Sequence, residues 1–334
     1  MRRAVVLLLV TIGMAACSAG NGGSTDTSAP GATTTRPDSM STLPDTTLPD
    51  TTLPNATSPA STAPATGPTT TLDPLVARPF DVFVPSSYDE ATAMPLVVLL
   101  HGYTASGSLQ ELYFQFQPLA EERGFLYVHP DGTTDVLGEQ FWNATDACCG
   151  FISTVDDSAY LALLVEQVQT EYNVDPKRIF FVGHSNGGFM SYRMACDHSG
   201  MVAAVASLAG ATFADPDECG VQEPVSVLQI HGTDDSTIAF EGGSILGRVF
   251  PSAATTADTW ATYDECGSET TVEENALDLV AEIEGAESSR TVYSECPDGV
   301  GVELWTIHGG VHVPGRTQDM STGIIDFLFA HPKP

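Results

Sequence analysis

Positive charge is what this chain has least of. Only 12 of its 334 residues are lysine or arginine, against 43 aspartates and glutamates, for a net charge of −31. Three of the basic residues (Arg2, Arg3, Arg36) and five of the acidic ones (Asp26, Asp38, Asp45, Asp50, Asp73) precede residue 75. From there on 9 basic residues face 38 acidic ones, a net −29. Such a surface repels phosphate, which argues against nucleic acid and anionic membranes as partners. Basic residues are also too scarce for a clamp on a substrate's carboxylate. The C-x-x-C and histidine spacings of zinc modules are missing, so neither a metal nor a cofactor is expected. The apolar run at residues 4–12 is too short and too early to span a membrane as a mature helix.

That early run has a different reading. Met1-Arg2-Arg3 supplies a positive start, residues 4–12 an apolar middle, and Gly13-Met14-Ala15-Ala16-Cys17 a small-residue end. This is the pattern of an export signal. Small residues just before a cysteine resemble a bacterial lipobox, in which Cys17 is lipidated and becomes the mature N-terminus; cleavage near Ala16 without lipid is the alternative. Either way the expected location is extracellular, free or tethered to the outer face of the membrane, with any membrane contact through that lipid alone. Residues 18–74 are Ser, Thr, Pro, Gly, Ala and Asp with almost no large apolar side chain, and repeat as Thr46-Thr47-Leu48-Pro49-Asp50 and Thr51-Thr52-Leu53-Pro54-Asn55. They read as a disordered, semi-extended linker. Residues 75–334 suit one α/β domain with a sizeable core, expected to be monomeric.

Within that domain, short β-branched and apolar runs alternate with helical stretches. Residues 80–84, 95–100, 124–128, 178–182, 202–208, 225–230 and 302–307 read as strands, and residues 158–172, 188–195 and 324–329 as helices. This alternation implies a doubly wound, mainly parallel sheet flanked by helices, with the site at the carboxyl ends of the strands. Six cysteines follow Cys17, an even number suited to disulfides. Cys196 with Cys219, and Cys266 with Cys296 across an acidic insertion, are plausible pairs; Cys148 and Cys149 would then need a vicinal bridge or a different scheme.

The pentapeptide Gly183-His184-Ser185-Asn186-Gly187 joins a predicted strand to a predicted helix. In that context a G-x-S-x-G motif is the strained turn that lifts a nucleophilic serine above an α/β-hydrolase sheet. Strand 225–230 runs into His231-Gly232-Thr233-Asp234-Asp235, where either aspartate could serve as the acid and Asp235 is favoured. After the last strand, Gly309-Gly310-Val311-His312-Val313-Pro314-Gly315 presents His312 on a shaped loop, with His308 as its competitor. His184 is expected to point away from the chemistry. Ser185, Asp235 and His312 thus form a candidate catalytic triad in the chain order Ser, Asp, His. The oxyanion donors are expected to be the backbone N–H groups of Asn186 and Tyr103, the latter in His101-Gly102-Tyr103-Thr104.

With these pieces in place the chain resembles secreted polyhydroxybutyrate depolymerase-like and feruloyl or acetylxylan esterases of carbohydrate esterase family one, over about residues 78–330. The matching segments include Leu99-Leu100-His101-Gly102, His129-Pro130-Asp131-Gly132, Cys148-Cys149-Gly150, Asp156-Asp157 and the three site motifs above. The resemblance implies an α/β-hydrolase fold and a serine esterase, with the acid at Asp235 and the base at His312. Its substrates would be feruloyl or acetyl esters of plant polysaccharide, small soluble esters, or an oligoester or polyester. No appended carbohydrate- or polyester-binding module is visible, which favours soluble esters. Val313 stands where the family often has a tryptophan lining the cleft, so aromatic stacking would fall to Trp142 or Phe141, for which core packing is an equal reading. A serine peptidase on the same fold and a non-catalytic surface lipoprotein are the competing classes. Scarce basic residues count against the first, and a complete set of catalytic residue types against the second.

Overall fold

The computed structural model describes residues 73–150 and 152–334. The expected export signal, Cys17 and most of the linker lie outside the described residues. After the short helix α1 (Pro74–Ala77), strands β1 (Val82–Phe83), β2 (Met94–Leu100) and β3 (Leu126–Val128) are joined by helices α2 (Gly107–Phe114) and α3 (Phe116–Arg123). A small hairpin follows, β4 (Thr133–Thr134) and β5 (Gln140–Phe141), and then helix α4 (Asp157–Glu171). β6 (Val174–His184), α5 (Asn186–Asp197), β7 (Ala204–Leu208) and β8 (Ser226–Gly232) continue the alternation. A second hairpin, β9 (Gly243–Ile245) and β10 (Arg248–Phe250), leads to α6 (Ala253–Tyr263). Strands β11 (Thr270–Leu277), β12 (Ser288–Tyr293) and β13 (Val302–Ile307) and helix α7 (Gln318–Ala330) close the chain.

Nine strands form one sheet in the order β1-β3-β2-β6-β7-β8-β13-β12-β11. The run from β3 to β13 is parallel throughout, while β1 and the pair β12, β11 add antiparallel edges. The parallel core is covered on both faces, which is why its strands are continuously apolar. Successive residues of β2 serve opposite faces, as a period of two requires. Leu96, Val98 and Leu100 pack with Leu164 and Val168 of α4, Phe189 of α5 and Trp260 of α6. Val97 and Leu99 pack with Leu119 of α3 and with Ile324 and Leu328 of α7. The result is the expected doubly wound three-layer architecture.

Two differences from the sequence reading concern the edges. The first strand is only two residues long: Val82 and Phe83 alone pair with β3, and Pro85, which has no N–H to give a ladder, follows two residues later. The segment between Cys266 and Cys296, read as an acidic insertion, contains β11 and β12, which extend the sheet beyond β13. Disulfides join Cys266 to Cys296 at the base of this extension, Cys196 at the end of α5 to Cys219, and Cys148 to its neighbour Cys149. Among the described residues no helix is long and apolar enough to cross a membrane.

Candidate active site

β6 and α5 meet at Ser185, whose backbone has φ 54° and ψ −120°. A non-glycine residue at positive φ is strained and persists only where its surroundings dictate it. Here they do. A Cβ on Gly183 would collide with the carbonyl of Gly187, and one on Gly187 with the carbonyl of Leu100. Only glycine lets strand, turn and helix approach so closely. The turn therefore sets Ser185 at the start of α5, where unpaired N–H groups and the helix dipole favour negative charge.

Three side chains converge there from three separate strand ends. Ser185 Oγ lies 2.9 Å from His312 Nε2, and His312 Nδ1 lies 2.7 Å from Asp235 Oδ2. Asp235 is buried, and its Oδ1 accepts the N–H groups of Thr237 (2.8 Å) and Ile238 (2.9 Å). Burial alone would push this carboxyl up, but the His231 and His312 imidazoles beside it outweigh that and hold the group well below the usual carboxylate range. An ionised Asp235 accepts from Nδ1–H of His312, which leaves Nε2 free to accept the Ser185 proton. Asp234, the alternative acid, is exposed and contributes its backbone N–H to Gly310 O. His308, the alternative base, instead meets Ser289 Oγ at 2.6 Å on the far strand pair.

The loop after β2 lies against this turn: a methyl built on Gly102 would stand 3.5 Å from Ser185 Cβ. Its donors are otherwise committed. Gly102 N–H donates to buried Gln110 Oε1 (3.1 Å), Thr104 N–H to Gln140 O (2.9 Å) and Ala105 N–H to Gly102 O (3.1 Å). Among the described residues the N–H of Tyr103 has no acceptor, and Asn186, as the first residue of α5, lacks an intrahelical one. The Tyr103 ring is tied to the β4–β5 hairpin, its hydroxyl donating to Asp135 Oδ2 at 2.7 Å; desolvation and then that carboxylate push the phenol up to about 12. His101 accepts Gly132 N–H at Nε2 (2.9 Å), so its Nδ1–H donates to Gly102 O (2.7 Å); burial lowers its pKa and keeps it neutral.

Trp142 requires a correction. It is fully buried, its indole N–H donates to His101 O (3.1 Å), and its ring lies 5.1 Å from that of His101. Phe141 is buried as well. Neither offers a face to a ligand. The backbone of Trp142 is clamped by the side chain of Asn186, which accepts its N–H at Oδ1 (2.7 Å) and donates from Nδ2 to its carbonyl (2.9 Å). Asp157, from the Asp156-Asp157 pair, is fully buried and holds this segment through Asn143 N–H (2.7 Å), with Arg78 and Thr133 as further donors. Exposed Val311 and Val313 flank His312 instead.

His184 also departs from expectation. It faces the site, donating from Nε2 to the backbone carbonyl of His312 (2.8 Å), with the two rings 5.0 Å apart. Burial, and secondarily the neighbouring His312, lower its pKa from 6.5 to about 3. Unfolded chains protonate this histidine below pH 6.5 while the fold excludes the proton until about pH 3, so the stability it confers falls as the pH drops through that window. The His184→Gln variant, less stable at neutral pH, is expected to show a shallower loss on acidification, by about 1.4 kcal/mol per pH unit. Denaturant unfolding at pH 7, 6, 5 and 4 reads the two slopes, and equal slopes would refute the assignment.

Among the described residues no cluster of three or more His, Cys, Asp or Glu side chains is arranged to hold a metal ion. A cavity of about 480 Å³ beside α1 and α4, lined by Arg78, Thr134, Tyr160 and Leu163, touches none of the three converging residues.

The chain has known relatives. It is 28% identical to feruloyl esterase B of Piromyces equi over 239 residues, covering 69% of this chain but only 42% of that protein. It is 24% identical to feruloyl esterase D of Neurospora crassa over 253 residues, covering 72% of this chain and 75% of that one. The solved structure of an acetyl xylan esterase from Aspergillus awamori superposes with a TM-score of 0.55 at 16% identity, over 75% of this chain and 93% of that one, a likeness of fold. The model of the Esterase family, described as "Putative esterase", matches residues 77–281, well over half of the chain. With the α/β-hydrolase sheet and the Ser185 turn already in view, the chain belongs to that esterase family.

Proposed function

We propose that the chain is an exported serine carboxylic-ester hydrolase working through Ser185, His312 and Asp235. The observation that carries this reading is the unbroken line of contacts from Ser185 Oγ to His312 (2.9 Å) and on to Asp235 (2.7 Å). Ser185 Oγ forms the new bond to the ester carbon as its proton passes to His312 Nε2. The imidazolium then gives that proton to the departing alcohol, leaving an acyl-enzyme. Water repeats the sequence, losing a proton to His312, and the acid product leaves as Ser185 regains its hydrogen. The N–H groups of Tyr103 and Asn186 meet the oxyanion, each worth ~3 kcal/mol of transition-state stabilisation. Asp235 keeps the imidazole in the tautomer that both steps need.

The names of the relatives, feruloyl esterases and an acetyl xylan esterase, support feruloyl or acetyl esters as the substrate class. Export through residues 1–17, with a lipid on Cys17 and residues 18–74 as a tether, is the companion reading. Three disulfides suit an oxidising compartment. The test is kcat/KM for methyl ferulate and p-nitrophenyl acetate against soluble hydroxybutyrate oligomers, with Ser185→Ala as control. The expected result is a preference for the ferulate or acetate ester. Preference for the oligomers would reassign the enzyme to oligoester hydrolysis. Turnover of none of them in a Ser185-dependent way would remove the esterase reading altogether.

A further inference from the structure

Asp235 has a second histidine beside it. His231, four residues earlier at the end of β8, is buried with its Nε2 3.4 Å from Asp235 Oδ2. Its tautomer follows from its neighbours. Gln229, on the same face of β8 and fully buried, places Nε2 2.8 Å from Gly210 O and 3.1 Å from His231 Nδ1, and Oε1 2.6 Å from the Tyr192 hydroxyl. A primary amide has two N–H donors and one carbonyl. Gly210 O can only accept, so the amide nitrogen faces it and its second N–H faces His231 Nδ1; the Tyr192 hydroxyl donates to Oε1. His231 Nδ1 is then an acceptor and its proton sits on Nε2. That N–H donates to Ile238 O at 2.8 Å, and Asp235 Oδ2 lies 3.4 Å from the same nitrogen, an electrostatic contact.

This arrangement closes a ring around the acid. Ile238 N–H donates to Asp235 Oδ1 while Ile238 O accepts from His231, so one residue ties the carboxylate's turn to β8. Asp235 Oδ2 has an imidazole nitrogen on two sides, His312 in hydrogen-bond contact at 2.7 Å and His231 in electrostatic contact at 3.4 Å. The ring of Phe240 stands edge-on to His231 and closes its apolar side. The network starts at Tyr192 on α5, the helix whose first turn carries the nucleophile, and so links the two catalytic elements without passing through the His312 loop.

We infer that His231 is a positioning residue: fixed as the Nε2–H tautomer by Gln229, it holds the Asp235 turn through Ile238 and keeps its N–H dipole beside the carboxylate. The inference rests on the triad reading above. Losing that dipole makes Asp235 hold a proton more readily, and the form with ionised acid and neutral base then needs a higher pH. The experiment compares His231→Met, of similar bulk but without a donor, with His231→Gln, whose amide can still reach the turn. Wild type and Ser185→Ala serve as references on p-nitrophenyl acetate.

For His231→Met the expected result is a fall in kcat of about 5- to 10-fold, the worth of one neutral hydrogen bond that fixes the acid's turn. KM should be nearly unchanged, and the acid limb of the kcat/KM profile should move to higher pH. His231→Gln should stay within about threefold of wild type. An unmoved acid limb in folded His231→Met overturns the inference. So does a tenfold or greater loss in His231→Gln with an unchanged melting temperature, which decides the matter even where His231→Met does not fold. The low-field proton NMR signal of the His312–Asp235 hydrogen bond gives a readout independent of turnover. It is expected to shift in His231→Met; a fixed signal counts against the role, whereas an inactive wild type with a shifting signal counts against the esterase reading alone.

Discussion

Ser185→Ala is expected to lower kcat on any carboxylic ester by roughly 10⁴- to 10⁶-fold while KM moves little. The hydroxyl makes a hydrogen bond to His312 and, in the proposed mechanism, a covalent bond during turnover. Substrate binding draws on the cleft walls and not on Oγ, so the loss falls on the chemical step. Alanine keeps the positive φ of 54° that the turn imposes, and the hydrogen bond it gives up is only part-buried. The fold should therefore survive, and matched melting curves would show it. His312→Ala should cost nearly as much, and the double variant little more than either single one, because two members of one catalytic unit do not contribute additively. The tyrosine and asparagine N–H donors remain in all three, so a residual rate above that in water is expected. Retention of more than about 1% of wild-type kcat by Ser185→Ala would mean that another nucleophile acts, since a triad member cannot be removed so cheaply.

The parts of this molecule that were legible in the sequence are those whose local chemistry and tertiary role agree. β2 is apolar at every position because both of its faces are covered, and the Gly183 to Gly187 turn needs glycines wherever its neighbours approach. β11 was not legible. Thr270–Leu277 is polar and exposed nearly throughout, carrying no alternation, and becomes a strand only through its pairing with β12. Its charged pair Glu273 and Glu274 on an outer edge suits a solvated, aggregation-resistant edge strand. β12 is likewise marked by its neighbours on either side rather than by its own pattern. Trp142 illustrates a different gap. Composition can place a tryptophan near a site but cannot say whether its indole turns to ligand or inward, and here the His101 carbonyl draws it inward. The same holds for His184 and His231: both stand in the motifs read from the sequence, but their partners, the His312 carbonyl and the Ile238 carbonyl, come from loops that only the folded chain brings near. Motifs locate the reacting atoms; the groups that hold those atoms in place arrive from elsewhere.

The choice between two adjacent aspartates leads to the other large effect. Asp235→Asn is expected to lower kcat by about 10⁴-fold, and Asp234→Asn to leave it within about twofold. An asparagine at 235 fits the same space, and its carbonyl can still accept the Thr237 and Ile238 N–H groups that Oδ1 accepts now. That fixes the amide's orientation and turns its NH₂ toward both imidazoles. His312 Nδ1 must then become an acceptor, which drives its proton to Nε2 and points an N–H at Ser185 Oγ. A base already protonated on the reacting nitrogen cannot take the serine's proton. The negative charge that would steady the imidazolium is also gone. Asp234 has no such part: its side chain is exposed and its link to the His312 loop runs through a backbone N–H that asparagine keeps. The two variants differ in formal charge from wild type by the same single unit, so any general electrostatic effect on the −29 domain cancels between them. Parallel measurement of kcat from pH 6 to 9 separates them further. Asp235→Asn should recover partly at high pH, where hydroxide substitutes for the lost base, whereas Asp234→Asn should follow the wild-type curve. A larger loss at 234 would move the acid to the neighbouring residue and undo the positioning role of His231 along with it, and equal losses would mean that neither aspartate alone is the acid.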